Sequence, residues 1–312
     1  MSNFTIIDNS SLRPMVSVAM LAYNHQDYIG RAIESVLMQN IHYSVQIVIA
    51  EDCSTDNTRA IILEYQKKYP DIIKLILQNK NVGARQNNYD LLSNLTGKYI
   101  AALEGDDFWT DPIKLQKQIF FLENHPEYSI TFTNVNVVYE DGLENKVSTL
   151  TPIEENRKYS GKEILQQWIA HTSTFVFRNE KEEMKNYANF FFSYQFLYGD
   201  TPLFLYLLEF GKAYGFTDYT SSYRRHLGGA LSGKDAIQDG IKYITYLKNI
   251  NKAFNNKGYT RINNNRISVA YLGLLRNKEV KLSDSMKYLF KCIYYDPLLF
   301  FKIIKEKLKS KS

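Results

Sequence analysis

Glu104, Asp106 and Asp107 place three carboxylates within four residues, at the end of the apolar run Tyr99-Ile-Ala-Ala-Leu and directly before Phe108-Trp109. Carboxylate oxygens are the donors that hard cations such as Mg2+ and Mn2+ select, often together with substrate phosphates. The run reads as a short buried strand. In an open α/β sheet the ligand crevice lies outside the carboxyl ends of the strands. The chemistry indicated is metal-dependent work on a phosphate-bearing substrate. A solvated acidic turn is the competing reading of the same residues. Other apolar runs end in polar groups too. Val16 to Leu21 leads into Tyr23-Asn24, and Val45 to Ala50 leads into Glu51-Asp52. Asn79, Asn81, Gly83 and Arg85 follow a third run, Ile72 to Leu77.

The elements that must position these groups alternate. Tyr28 to Gln39 has apolar residues at Ile29, Ala32, Ile33, Val36 and Leu37, a helical period. Ser54-Thr55-Asp56 offers N-caps to a helix reaching about Tyr69 and stopped by Pro70. Further helices are expected over Ala84 to Leu95 and Pro112 to Glu123, and strands over Tyr99 to Leu103 and Tyr128 to Val138. Repeated strand–helix–strand units predict an α/β fold with a mostly parallel central sheet flanked by helices. After residue 140 the pattern loosens: a polar loop to about Lys158, a helix over Lys162 to Ile169, and a strand over Thr174 to Phe177. A helix then opens at Thr201-Pro202 and closes at Gly211, and Lys212 to Tyr223 reads as one or two strands. Only helices are expected beyond about Asp235, near 235–255, 264–277, 283–295 and 298–309.

Composition excludes several classes. Of 312 residues, 45% are hydrophobic and 23% charged, as in ordinary globular proteins. No run reaches the roughly 18 apolar residues of a membrane span. The residues before Pro14 hold no apolar leader core, so a cytoplasmic chain with Cys53 and Cys292 as free thiols is expected. The net charge of +5 is concentrated at the end: residues 281–312 carry eight lysines against Asp284, Asp296 and Glu306, and the remainder is balanced. Nucleic acid is therefore not expected as a partner. The apolar, lysine-studded segments Met286 to Tyr295 and Leu298 to Leu308 leave two readings open. One is a helix on the inner face of an anionic membrane; the other is a helical cap packed on the enzyme.

Taken in order, Tyr23-Asn24, Glu51-Asp52, Asn79 to Arg85, Glu104-Gly-Asp-Asp107, Tyr198-Gly-Asp200 and Tyr223-Arg-Arg-His226 resemble family 2 of the nucleotide-sugar glycosyltransferases, which have the GT-A fold. The likeness is close over about residues 15–140 and looser over about 170–232. It implies a GT-A domain over 1–232, with a nucleotide-binding half at about 15–140 and an acceptor half at about 141–232. A helical region would occupy 233–312. It implies an inverting transferase that moves a sugar from a nucleotide donor, most often UDP-linked, to a glycan or lipid-linked glycan hydroxyl in bacterial surface polysaccharide or lipooligosaccharide synthesis.

The same resemblance implies roles. Tyr23 would stack on the base, and Asp52 would accept a hydrogen bond from it. Arg85 would approach the diphosphate or brace the metal acids. Asp106 would bind ribose or help hold Mn2+ or Mg2+, and Asp107 would bind the cation directly. Glu51 and Glu104 stand where aspartate is commoner. His226 would be a further ligand or phosphate contact, Arg224 and Arg225 would clamp phosphate, and Gly228-Gly229 would form a mobile lid. Asp200 would be the catalytic base, although its place before Thr201-Pro202 also suits a helix N-cap. His171 would face the acceptor. A nucleotide-sugar-binding protein without turnover is one alternative. A sugar nucleotidyltransferase is another, but Leu21-Ala-Tyr-Asn-His25 offers none of the glycines its phosphate loop requires.

Overall fold

In the computed structural model the polar strand ends all fall at the rim of one sheet. The structure describes residues 4–10, 13–140, 150–226, 235–277, 279–299 and 301. In chain order the first elements are β1 (Phe4–Ile7), β2 (Val16–Ala22), α1 (Ile29–Leu37), β3 (Val45–Glu51), α2 (Thr58–Lys68), β4 (Ile73–Gln78), α3 (Ala84–Ser93) and β5 (Tyr99–Ala102). Then come β6 (Phe108–Trp109), α4 (Lys114–Asn124), β7 (Tyr128–Tyr139), β8 (Arg157–Tyr159), α5 (Gly161–Gln166), β9 (Val176–Arg178), α6 (Lys181–Tyr194), α7 (Asp200–Leu207) and β10 (Lys212–Arg225).

The strands form a single sheet in the order β1-β4-β3-β2-β5-β9-β7-β10-β6, with β8 paired to β10. β4, β3, β2 and β5 are mutually parallel. β9 runs antiparallel to both β5 and β7, and β10 is parallel to β7. Six described strands therefore share one direction, and β1, β6, β8 and β9 oppose it. α3 lies against β2 and β3, α2 against β4, and α4 against β7 and β9. The expected α/β class, a mostly parallel sheet flanked by helices, is what the chain adopts.

The local cause is direct. Strands covered on both faces need apolar residues at nearly every position. β2, β3 and β4 are buried almost end to end. α1 buries Ile29, Ala32, Ile33 and Val36 on the face its period predicts. One core residue breaks the pattern: Lys114 is fully buried on α4. Its Nζ donates to Gln118 Oε1 at 2.7 Å and Thr174 O at 3.2 Å, and lies 4.7 Å from the Trp109 ring. Both acceptors are neutral, and burial pulls its pKa down to about 7, which the charge of Asp111 offsets only in part.

Residues Met1–Ser193 with Leu203–Leu227 form one compact unit; Tyr194–Pro202 with Gly228–Ser312 form a second. The second contains α8 (Ala236–Phe254), α9 (Lys257–Leu275) and α10 (Leu282–Tyr295). Asp235 caps α8 by accepting from the Ile237 and Gln238 N–H groups, and Asn256 caps α9 in the same way. α9 starts earlier than its periodicity suggests, because the polar stretch Asn263-Asn-Asn265 hides the first turns. Most of the helix expected over 298–309, and Gly228-Gly229, lie outside the described residues.

Candidate active site

β2, β3 and β5 are neighbours in the sheet, so three of the polar strand ends lie side by side. Beyond β2 the Tyr23 ring is 42% exposed. Asn24 follows in the left-handed region, with φ 55°, which asparagine tolerates better than most residues. Its Oδ1 accepts from Thr55 N at 2.9 Å, and its own N–H donates to Ser54 Oγ at 3.0 Å. The loop after β2 is thus tied to the loop after β3.

At the end of β3, Glu51 and Asp52 are both buried. Glu51 accepts from Ser54 N–H and pairs with Arg59, whose guanidinium also donates to Gln78 O at 2.6 Å. Asp52 accepts from Val82 N at 2.7 Å through Oδ1 and from Gly83 N at 2.9 Å through Oδ2. Burial raises the Asp52 pKa, and the two N–H groups offset this only in part.

The turn after β5 is packed differently. Gly105 N donates to Leu21 O at 2.9 Å. A Cβ at Gly105 would stand 2.8 Å from His25 Nδ1 and 2.9 Å from Leu21 O, so only glycine fits. The turn aims Asp106 at two imidazoles: His226 Nε2 lies 3.1 Å and His25 Nε2 3.8 Å from Asp106 Oδ2. Burial pushes the Asp106 carboxyl up, but the His226 hydrogen bond and the charge of both imidazoles bring it below the ordinary value. Asp107 is 2% exposed. Its Oδ1 accepts from Arg224 N at 2.8 Å, and its Oδ2 lies 3.8 Å from His171 Nδ1. Burial, with Asp106 and Glu104 alongside, holds its pKa well above the usual carboxylate range.

β10 closes this turn from the far end of the sheet. The Arg224 guanidinium donates to Asp106 O at 2.8 Å, pairs with Glu140, and lies over the Tyr28 ring at 4.5 Å and the Phe108 ring at 5.2 Å. Its expected role was to clamp phosphate; the structure places it as a buried brace of the acidic turn. His226, expected as a further ligand or phosphate contact, lies beside Asp106. His171 lies 4.2 Å from the Tyr223 ring, and burial pulls its pKa down to about 4. Arg85 is exposed on the first turn of α3, and among the described residues no ion pair joins it to the acids of the turn. Asp200 opens α7, accepts from Thr201 N at 2.7 Å, and has its pKa raised by burial. It belongs to the second unit. His25 was not singled out from sequence. Its one signal was its place directly after Tyr23-Asn24.

The fit of a cation is judged from the donors. Among the described residues no three His, Cys, Asp or Glu side chains stand in a ready-made ligand set. The expected trio of Asp106, Asp107 and His226 is divided: Asp106 takes His226 and His25, and Asp107 takes Arg224 and His171. The donor chemistry nevertheless suits Mn2+ or Mg2+. Two carboxylates face imidazoles, burial lowers the pKa of His25 and His171 toward the neutral form, and the buried His25 Nδ1 has no hydrogen-bond partner. Such cations routinely complete their shells with phosphate oxygens.

Comparison with known proteins bears on the family and the fold. The family model described as Glycosyl transferase family 2 matches residues 17–185, more than half of the chain. Bacillus subtilis EpsE, assigned by name only as a glycosyltransferase, is 39% identical over 132 residues, covering 42% of this chain and 46% of EpsE. B. subtilis TuaG, named for teichuronic acid biosynthesis, is 35% identical over 130 residues, 42% of this chain and 50% of TuaG. The chain thus spans about half the length of these curated relatives. In fold it is similar to S. aureus TarS in complex with UDP-GlcNAc, with TM-score 0.62, 15% identity, and 90% and 81% of the two chains covered. It is also similar to the Pyrobaculum calidifontis mannosyltransferase PcManGT with GDP-Man and Mn2+, with TM-score 0.55, 12% identity, and 95% and 85% covered.

Proposed function

The chain belongs to glycosyl transferase family 2, and from that premise we propose that it transfers a sugar, with inversion, from a UDP-sugar to a glycan hydroxyl in bacterial surface-glycan synthesis. The observation that carries the reading is the acidic turn after β5, with Asp106 facing His226 and His25 beside the ends of β2 and β3.

The exposed Tyr23 ring stacks on the uracil. Asp52 accepts the base N–H; each of its oxygens takes one backbone N–H and keeps a second lone pair. Asp106, Asp107 and His226 are the residues that would hold a cation, with donor phosphates completing its shell. Bound Mn2+ or Mg2+ would supply Lewis-acid stabilisation of charge building on the departing diphosphate. Arg224 fixes the turn through Asp106 O and Asp107 Oδ1, so the carboxylates need not reorganise as that charge develops. Arg85 is assigned to the diphosphate side. Asp200 is assigned as the base that takes the acceptor proton. This assignment rests on the resemblance; burial raises the pKa of its carboxyl, which makes the carboxylate a stronger base. An α-linked donor then gives a β-linked product.

The test is UDP release from a panel of UDP-sugars with Mn2+ and surface-glycan fragments as acceptors. The wild type is expected to release UDP with at least one pair, Asp107→Ala with none, and Asp200→Asn to bind UDP normally without transfer. Full transfer by Asp200→Asn would remove the base assignment. Metal-dependent UDP binding without release from any pair would favour a binding protein that lacks turnover.

A further inference from the structure

α10 is apolar on two separate faces. One packs inside its own unit: Cys292 is buried, its carbonyl accepts from Ser268 Oγ at 2.9 Å, and the rings of Tyr288 and Tyr295 lie 5.7 and 6.1 Å from that of Tyr271 on α9. The other face points to solvent. Leu282, Met286, Phe290 and Tyr294 recur every fourth residue and are 82%, 50%, 66% and 79% exposed. Leu298 and Phe301 continue the series at 78% and 64% exposed. Scattered exposed apolar residues need no explanation, but a continuous stripe along a helix does. At about 100° per residue the four α10 side chains span an arc distinct from the packed face.

We propose that this stripe is the site at which the protein rests on an anionic lipid surface. Charge selects the occupant. Lys287 and Lys291 border the stripe, Lys281 precedes it, and five more lysines follow at 302, 305, 307, 309 and 311. The chain's whole excess of +5 is gathered in this segment. An interfacial helix sinks its apolar face to the headgroup boundary while flanking lysines reach lipid phosphates. A second copy of the chain fits less well, because a two-fold contact sets the same patch on itself and would oppose lysine to lysine. No described helix is long and apolar enough to cross a bilayer, so the contact is one of surface.

Flotation with vesicles tests this, using phosphatidylcholine alone and phosphatidylcholine containing phosphatidylglycerol. Wild type should float with the anionic vesicles, release in high salt, and stay down with the neutral ones. Lys287→Ala with Lys291→Ala should weaken binding about twenty-five-fold, roughly fivefold per lysine. Leu282→Ser with Phe290→Ser should weaken it by about tenfold or more, with an unchanged melting temperature because both side chains are exposed. Absence of wild-type flotation, equal binding to neutral vesicles, or full binding by the serine double variant would each overturn the proposal. Sedimentation velocity gives the rival outcome: a dimer that the serine variant dissociates would assign the stripe to self-association.

Discussion

Two strands of this sheet run into a pair of acids, and the pairs differ in what compensates them. Glu51 and Asp52, after β3, meet an arginine and three backbone N–H groups. Asp106 and Asp107, after β5, meet three imidazoles and one N–H. Permanent partners make the first pair a brace between loops. Imidazoles can exchange a proton or donate a lone pair to a cation, so the second pair remains available for chemistry. The same sequence pattern thus meets fixed partners at one strand end and titratable ones at the next.

Breaking the brace should have the largest effect on stability. Arg59→Met strands the fully buried Glu51 carboxylate and should cost about 3–5 kcal/mol, the usual range for halving a buried pair. Urea unfolding measures it; a loss below 1 kcal/mol would mean that water compensates Glu51. Gly105→Ala attacks the other strand end. The added methyl meets the Leu21 carbonyl, which cannot step aside as a side chain could, so the cost should be about 1–3 kcal/mol. Nucleotide affinity should fall with it, as the turn shifts.

Lys114 provides an intermediate case, a buried ion whose hydrogen-bond acceptors are all neutral. Its pKa is about 7 when folded and 10.5 as the ordinary value. Between these pH values the unfolded chain binds more protons, so stability should rise with pH, approaching about 1.4 kcal/mol per unit. Lys114→Met should remove this slope from melts taken between pH 7 and 10; an unchanged slope would place the titration elsewhere. Asp107→Asn should have the smallest effect on stability and the opposite sign. It relieves burial of charge beside Asp106 and Glu104, so the protein should gain up to about 1 kcal/mol while losing metal-dependent function.

The same contrast explains what could be read from the chain. β2, β3, β4 and β5 were legible because doubly covered strands are continuous apolar runs. β1 was not, because its pattern is half-exposed at the sheet edge, and the two residues of β6 carry no period at all. α6 was missed because Lys181-Glu-Glu-Met-Lys185 gives way to an aromatic run without a clean stripe. The acids of the turn were visible as types. Their compensation was not, since Arg224 reaches Asp107 across 117 residues and His25 arrives from the loop after β2. Glu51 and Asp107 look alike in sequence; only the partners brought by the fold separate them.

The central claim is that the β5 pair, unlike the β3 pair, holds the cation on which nucleotide binding depends. Titration calorimetry of UDP with and without Mn2+, on wild type and Asp107→Ala, addresses it most directly. Binding that requires Mn2+ and vanishes in Asp107→Ala is the predicted result. Binding of equal strength without metal, or unaltered in Asp107→Ala, would contradict it.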